Sequence, residues 1–218
     1  LDQLKIHKNF TFHKIDIADR QAMFDLINTK PTHIINLAAQ AGVRYSIEHT
    51  LEFIESNIMG HTVMLEIARQ LPDLQHFVYA STSSVYGGNK KVPFSITDNV
   101  DQSVSIYAVT KRADELIAWT YAHLHKTPMT GLRFFTVYGP WGRPDMAAYL
   151  FTDKITRGKP ITVFNNGDMR RDFTYIDDIV SGILASLAKP PAPGDNQPPY
   201  ALYNLGNSKA ENLMDFIS

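Results

Sequence analysis

Apolar and polar positions along the chain change period repeatedly, and each change predicts an element. "FTFHKIDI" (10–17) is rich in β-formers, and "DRQAMFDLINT" (19–29) has helical spacing. "THIINLAA" (32–39) is a short apolar run suited to a strand buried on both faces. "TLEFIESNIMGHTVMLEIARQL" (50–71) reads as one long amphipathic helix closed by Pro72. "LQHFVYAS" (74–81) is a second buried strand, 107–125 a helix, and "MTGLRFFTVYG" (129–139) a third strand running into a loop. In the helix beginning near Ser105, Ile106, Val109, Leu116 and Ile117 predict one buried stripe. After Gly139 the pattern loosens. "GPWGRPD" is loop, 146–158 helical, "ITVF" (161–164) a short strand, and 176–189 a helix with Asp177 and Asp178 in its first turn. "PPAPGDNQPP" (190–199) is a mobile surface loop, "YALYNLG" (200–206) a strand, and "ENLMDFIS" opens a helix. Strands separated by helices predict an α/β fold, a doubly wound parallel sheet with helices on both faces.

Composition narrows the class. With 44% hydrophobic and 20% charged residues, the 218-residue chain is of ordinary globular kind. A net charge of −1 gives no cation excess for nucleic acid, and the pair Arg170–Arg171 sits beside Asp168 and Asp172. No apolar run reaches the roughly 18 residues of a membrane span, and "LDQLKIHKNF" is no signal peptide. The absence of cysteine excludes thiolate chemistry and disulfides, and the scattered histidines give no metal set, so no metal is expected. A cytoplasmic protein without nucleic-acid or membrane partners is the expectation.

On open parallel sheets ligands bind beyond the carboxyl ends of the strands, so the loops after residues 37, 80 and 135 matter most. "NLAAQAGVRYS" (36–46) has small residues that let a ligand approach the backbone, or else make a tight turn. "ASTSSVYGG" (80–88) sets four hydroxyl residues at a strand end, where they can bind a substrate oxygen or cap the loop itself. "RFFTVYGPWGRPD" (133–145) carries Arg143 in a turn. In "SIYAVTKRADELIAW" (105–119), Tyr107 and Lys111 are four apart, one above the other on a helix. An ammonium held near a phenol favours the phenolate, a base able to work near neutral pH. A lone Tyr-x-x-x-Lys is still a weak signal.

Together, the Tyr-x-x-x-Lys pair, the hydroxyls and the small-residue loop resemble the extended short-chain dehydrogenase/reductase superfamily. "ASTSSVYG", "YAVTKRADEL", "LRFFTVYGPWGRPDMA" and "RRDFTYIDDIV" are similar to NAD-dependent nucleotide-sugar epimerases, and "TVYGPWGRPDMA" most of all to UDP-glucuronate 4-epimerases. The resemblance implies a Rossmann-like NAD-binding domain over 1–138 and a smaller α/β substrate-binding lobe over 139–218, interleaved with it and incomplete at its C-terminus. It implies inversion of carbon 4 of a UDP-sugar acid by a homodimer paired through helices 50–71 and 105–125.

By the same resemblance Tyr107, Lys111 and Thr82 are catalytic. Asp16, Ile17, Ala38, Ala39, Gln40 and Asn57 join Tyr107 and Lys111 around NAD. Thr82, Ser83, Ser84, Thr136, Arg143, Arg171 and Asp177 hold the UDP-sugar. Dehydratases of the family carry Asp-Glu after the threonine, and decarboxylating relatives a glutamate two residues after it; Ser83 and Ser84 cannot do that acid–base work. A neutral UDP-glucose or UDP-N-acetylhexosamine substrate, and a non-catalytic fragment of an epimerase, stay open. No Gly-x-x-Gly-x-x-Gly turn occurs among these residues, so the family's first βαβ unit is expected to be absent from them, and the chain is not expected to fold or bind NAD alone.

Overall fold

The computed structural model describes residues 1–163 and 165–217. Four strands, β1 (His33–Asn36), β2 (His76–Thr82), β3 (Met129–Phe134) and β6 (Tyr200–Leu205), pair in the order β1-β2-β3-β6, all parallel. A second sheet joins β4 (Thr136–Tyr138) in parallel to β5 (Arg170–Tyr175), and β5 antiparallel to β7 (Ala210–Asn212). The helices are α1 (Asp2–Lys5), α2 (Arg20–Asp25), α3 (Tyr45–Glu48), α4 (Thr50–Phe53), α5 (Gly60–Ala68), α6 (Ile106–His125), α7 (Ala147–Thr156), α8 (Ile176–Leu187) and α9 (Leu213–Ile217). Among the described residues no helix is long and apolar enough to cross a membrane.

The large sheet is covered on both faces, as a doubly wound arrangement requires. Phe77, Tyr79 and Met129 pack with Val63, Leu65 and Ile67 of α5 and with Ala118 and Ala122 of α6. Val78 and Leu132, pointing the other way, pack on Ile179 and Ile183 of α8. Gly131 lies where β3 is crossed most closely: a Cβ there would stand 2.6 Å from the Tyr79 hydroxyl and 2.8 Å from Leu202.

Several sequence expectations need correction. Residues 10–17 form no strand; their chain is unpaired, and Ile15 and Ile17 contribute side chains to the core. The run at 32–39 is not buried on both faces. α8 packs on Val78, Leu132 and Leu205 of β2, β3 and β6, while Ile35 is 39% and Leu37 51% exposed. The helix at 50–71 is interrupted by a π-helical stretch, Ile54–Met59, between α4 and α5. The strand at 129–139 is two strands in different sheets, broken at Phe135. Residues 161–163 form no strand, and Phe164 lies outside the described residues.

The largest correction concerns α6. Its Val109 and Leu116 are 44% and 53% exposed, while the buried face holds Ala108, Thr110, Lys111, Asp114, Glu115, Ala118 and Ala122. Small alanines let the helix approach the sheet, and the charged residues between them find partners inside. Ser105 caps the helix by accepting from the Ala108 N–H at 3.1 Å.

The principal partner is Arg133 on β3. Its Nε and Nη2 each donate to a carboxylate oxygen of Glu115 at 2.8 Å, with both residues 1% exposed. Arg112 and the Ser81 hydroxyl donate to the same carboxylate, at 3.1 and 2.6 Å. Arg133 also lies 4.9 Å over the Tyr86 ring, and the Tyr86 hydroxyl donates to Asn204 on β6 at 2.6 Å. Burial works against the charged guanidinium, but Glu115 more than offsets it and the Arg133 pKa is raised.

Two stability changes are expected. Glu115→Gln leaves a buried, uncompensated guanidinium and should cost on the order of 3–5 kcal/mol in urea unfolding. Gly131→Ala must displace the buried Tyr79 hydroxyl, which is bonded to Tyr200 at 2.7 Å, and should cost about 1–3 kcal/mol in the same measurement.

Candidate active site

Beyond the carboxyl ends of the strands lies a cleft of about 1150 Å³, larger than the roughly 300–1,000 Å³ usual for a small-molecule site. Its walls come from the three loops singled out in the sequence, with α7 and the small sheet opposite. Thr82, Ser83, Ser84, Tyr107, Thr136, Arg143, Arg171, Ala39 and Gln40 all line it, although they are scattered from residue 39 to residue 171. Lys111, Asn57, Ala38, Asp16, Ile17 and Asp177 do not line it.

Thr82 ends β2 and is 7% exposed. Its hydroxyl donates to Ser84 Oγ and accepts from the Ser84 N–H, both at 3.2 Å, so it caps the short 3-10 turn Ser83–Tyr86 as well as facing the cleft. The loop thus caps itself, while Thr82, Ser83 and Ser84 still border the cleft. Tyr107 stands in the first turn of α6, half-buried, with its ring edge-on to Phe53 at 6.0 Å. No carboxylate bonds to its hydroxyl among the described residues.

Lys111 is elsewhere than expected. Its ammonium turns into the fold, 4% exposed, and donates to Asp114 Oδ2 at 2.7 Å. Burial raises the Asp114 carboxyl pKa to about 6, against the opposing pull of Lys111.

Asn57 occupies the π-helical stretch and is 1% exposed. Its Oδ1 accepts from the Gln40 N–H at 2.8 Å, and its Nδ2 donates to the Gln40 carbonyl at 3.0 Å and to Thr110 Oγ1 at 2.9 Å. The side chain thus fastens the 38–42 loop to α6. Asp16 accepts from the Ala18 N–H, and Ile17 packs under Gly60, where a Cβ would come within 2.6 Å of it. Gly60 lets the helix pass over that side chain.

Arg143 reaches across the cleft. It donates to the Ala41 carbonyl at 3.2 Å and pairs with Asp145 through Nε, at 3.0 Å, and Nη2. Arg171 lies on β5, its pKa lowered by desolvation, its side chain without a hydrogen-bond or ion-pair partner among the described residues. Sequence reasoning missed the far wall. Ala147, Leu150, Phe151 and Lys154 recur along one face of α7 and all line the cleft. The helical period was visible, but nothing in it said which face would look inward. With Arg44 and Lys154 counted, four basic side chains line the cleft against one acidic residue, Asp145.

Comparison with known proteins places this cleft in context. The family model of the NAD dependent epimerase/dehydratase family matches residues 2–206. UDP-glucuronate 4-epimerase 1 of Arabidopsis thaliana is 51% identical over 195 residues, covering 85% of this chain and 45% of that protein. The structure of UDP-glucuronic acid 4-epimerase from Bacillus cereus, in complex with UDP-glucuronic acid and NAD, matches with a TM-score of 0.88 at 33% identity, over 99% of this chain and 66% of that one. UDP-glucose 4-epimerase of Thermotoga maritima, solved with UDP-glucose, matches with a TM-score of 0.86 at 28% identity, over 97% and 67%. The chain therefore spans about half to two thirds of these relatives' length. It belongs to the NAD dependent epimerase/dehydratase family.

Proposed function

We propose that the protein contributes the catalytic cleft of a UDP-glucuronate 4-epimerase, which inverts carbon 4 of the sugar acid to give UDP-galacturonate. The observation that carries this is the company Tyr107 and Thr82 keep: one cleft with Arg143, Arg171 and Lys154, and a cation excess of four to one. UDP-glucuronate brings two ionised phosphates and a carboxylate, so it meets that excess more fully than a neutral-sugar nucleotide does.

NAD fits the residues present. The cleft is roomy enough for a nicotinamide beside a sugar, and its wall at Ala39–Gly42 presents small side chains that admit a planar ring. Ala39, Gln40 and Tyr107 would hold it, with Asn57 securing the loop. When bound, NAD supplies a hydride acceptor and donor for carbon 4. Tyr107 takes the proton of the sugar 4-hydroxyl and returns it, and Thr82 donates to the same oxygen. Ser83 and Ser84 offer no acid–base group, so the sugar is neither dehydrated nor decarboxylated by them.

Arg143 and Thr136 hold the sugar carboxylate in this reading. The Nη1 edge of Arg143 has no partner among the described residues, and its pairing with Asp145 is exposed and cheap to exchange for a substrate carboxylate. A 4-keto uronic acid loses carbon dioxide when its carboxylate bond stands perpendicular to the ketone plane, and a clamped carboxylate is kept near that plane. Arg171 and Lys154 meet the diphosphate.

The active unit is a homodimer in the same reading. Val109, Leu116, Trp119 and Leu124 on α6, with Leu51 and Met59 beside them, expose apolar surface that no described residue covers.

Turnover of UDP-glucuronate and UDP-glucose measured side by side tests the substrate. The acid should be preferred, and Tyr107→Phe should lower kcat by at least about 100-fold. Arg143→Ala should raise KM for UDP-glucuronate by roughly 10-fold or more and release a decarboxylated pentose product. Equal turnover of both sugars, or an Arg143→Ala protein with unchanged KM and no pentose, rejects the acid-specific reading. In sedimentation experiments Leu116→Glu should weaken the dimer at least about 10-fold; a monomeric unmutated protein rejects the dimer.

A further inference from the structure

Side chains on a helix lean toward its N-terminus, and the turn before them limits their rotamers. Tyr107 is the second residue of α6, so its ring leans past the end of the helix, where no earlier turn walls it in. Among the described residues its hydroxyl makes no hydrogen bond, so the far end of the ring is not tied down either. The aromatic ring set against it is Phe53, the last residue of α4, with centroids 6.0 Å apart and planes at 74°. Such an edge-on pair is directional.

Phe53 is 0% exposed, yet it belongs to none of the apolar core clusters found among the described residues. A buried ring kept for stability alone would be expected to pack into one of them. Its ring neighbours are instead two residues that line the cleft, Tyr107 and Tyr45, the latter 6.1 Å away. Tyr45 is itself fixed. Its hydroxyl donates to Glu52 Oε2 at 3.0 Å, and its ring stacks on His49 at 3.9 Å, so it braces Phe53.

The same segment also holds the backbone of Tyr107. Asn57 stands four residues beyond Phe53, in the π-helical stretch that opens at Ile54. Its Nδ2 donates to Thr110 Oγ1, whose hydroxyl donates to the Tyr107 carbonyl, both at 2.9 Å. With the main chain anchored, the freedom left to Tyr107 is rotation of its side chain, and Phe53 stands against it.

We propose that Phe53 is a positioning residue for the reaction, its buried ring holding Tyr107 in the one rotamer that presents the phenol to the cleft. The proposal rests on the reading of Tyr107 as the base. A change of rotamer swings the hydroxyl by several ångströms, and a reacting group about 1 Å out of place can cost on the order of 100-fold in rate. Phe53 does not itself line the cleft, so it acts on the placement of the base and not on ligand binding.

The test replaces Phe53 with leucine, which keeps the site apolar and removes the ring. The Tyr107 rotamer is read by NMR from three-bond couplings of its Cγ to the backbone nitrogen and carbonyl carbon, with Tyr107→Phe identifying the signal. The unmutated protein should show a single rotamer, and folded Phe53→Leu an average over several. In that variant kcat should fall at least about 10-fold while KM stays within about twofold. An unmoved rotamer overturns the proposal. So does an averaged rotamer with unchanged kcat, where Tyr107→Phe abolishes turnover. Should Phe53→Leu not fold, the unmutated protein decides. A single Tyr107 rotamer with cross-relaxation between the Tyr107 and Phe53 ring protons supports the proposal, and averaged couplings or no cross-relaxation overturn it. The couplings need no turnover. A fully active Tyr107→Phe protein therefore sinks the reading of Tyr107 as the base, while the rotamer still tells whether Phe53 holds the ring.

Discussion

The carboxylate of Glu115, buried against the Arg133 guanidinium, is the contact on which the rest of the site depends. It joins α6 to β3 through two bonds of 2.8 Å, and it takes the Ser81 hydroxyl from the residue before Thr82. Tyr107 is two turns up the same helix, and Thr136 two residues beyond the end of β3. One buried anion therefore fixes the relative placement of three separate cleft-lining segments. An apolar pair of similar volume could hold the helix to the sheet about as well, since buried ion pairs are poor sources of net stability. What a directional, bidentate pair adds is a single register. A helix free to slide by a fraction of a turn would carry Tyr107 away from Thr82.

The same logic explains what could be read from the sequence and what could not. Alternation of strand and helix identified the parallel sheet, because buried strands such as 76–82 are apolar on both faces and need no partner to be recognised. Thr82 and Arg143 could be singled out because the loops after strand ends on such a sheet converge at one edge, and Tyr107 because of its spacing from Lys111 and the family resemblance. The interior of α6 was illegible for a converse reason. Hydrophobic periodicity finds the stripe that avoids water, and α6 buries its charged stripe while presenting Val109 and Leu116 outward. Only knowledge that Glu115 meets Arg133, and Lys111 meets Asp114, reveals that the polar face is satisfied inside. The far wall was hidden because α7 has no buried residue, so its pattern carried no statement about which way it faced.

The π-helical stretch shows how a local irregularity becomes a functional part. Residues 50–68 have the spacing of an uninterrupted helix, yet Ile54–Met59 is π-helical and carries Asn57, which bonds to both Gln40 and Thr110. The wider turn gives up regular hydrogen bonding, and the Asn57 side chain makes three bonds there. The loop at 38–42 then needs no large side chain of its own to stay in place. Small residues there are compatible with order only because an amide from another element supplies it.

Cleft and core also divide the work of charge. Inside, each cation is matched: Arg133 by Glu115, Lys111 by Asp114. In the cleft, basic side chains outnumber acidic ones. A buried mismatch would cost several kcal/mol per ion, whereas an exposed one costs little until a ligand displaces the water around it. In the proposed reading that excess is what meets an anionic ligand, while the charges of the core are matched among themselves.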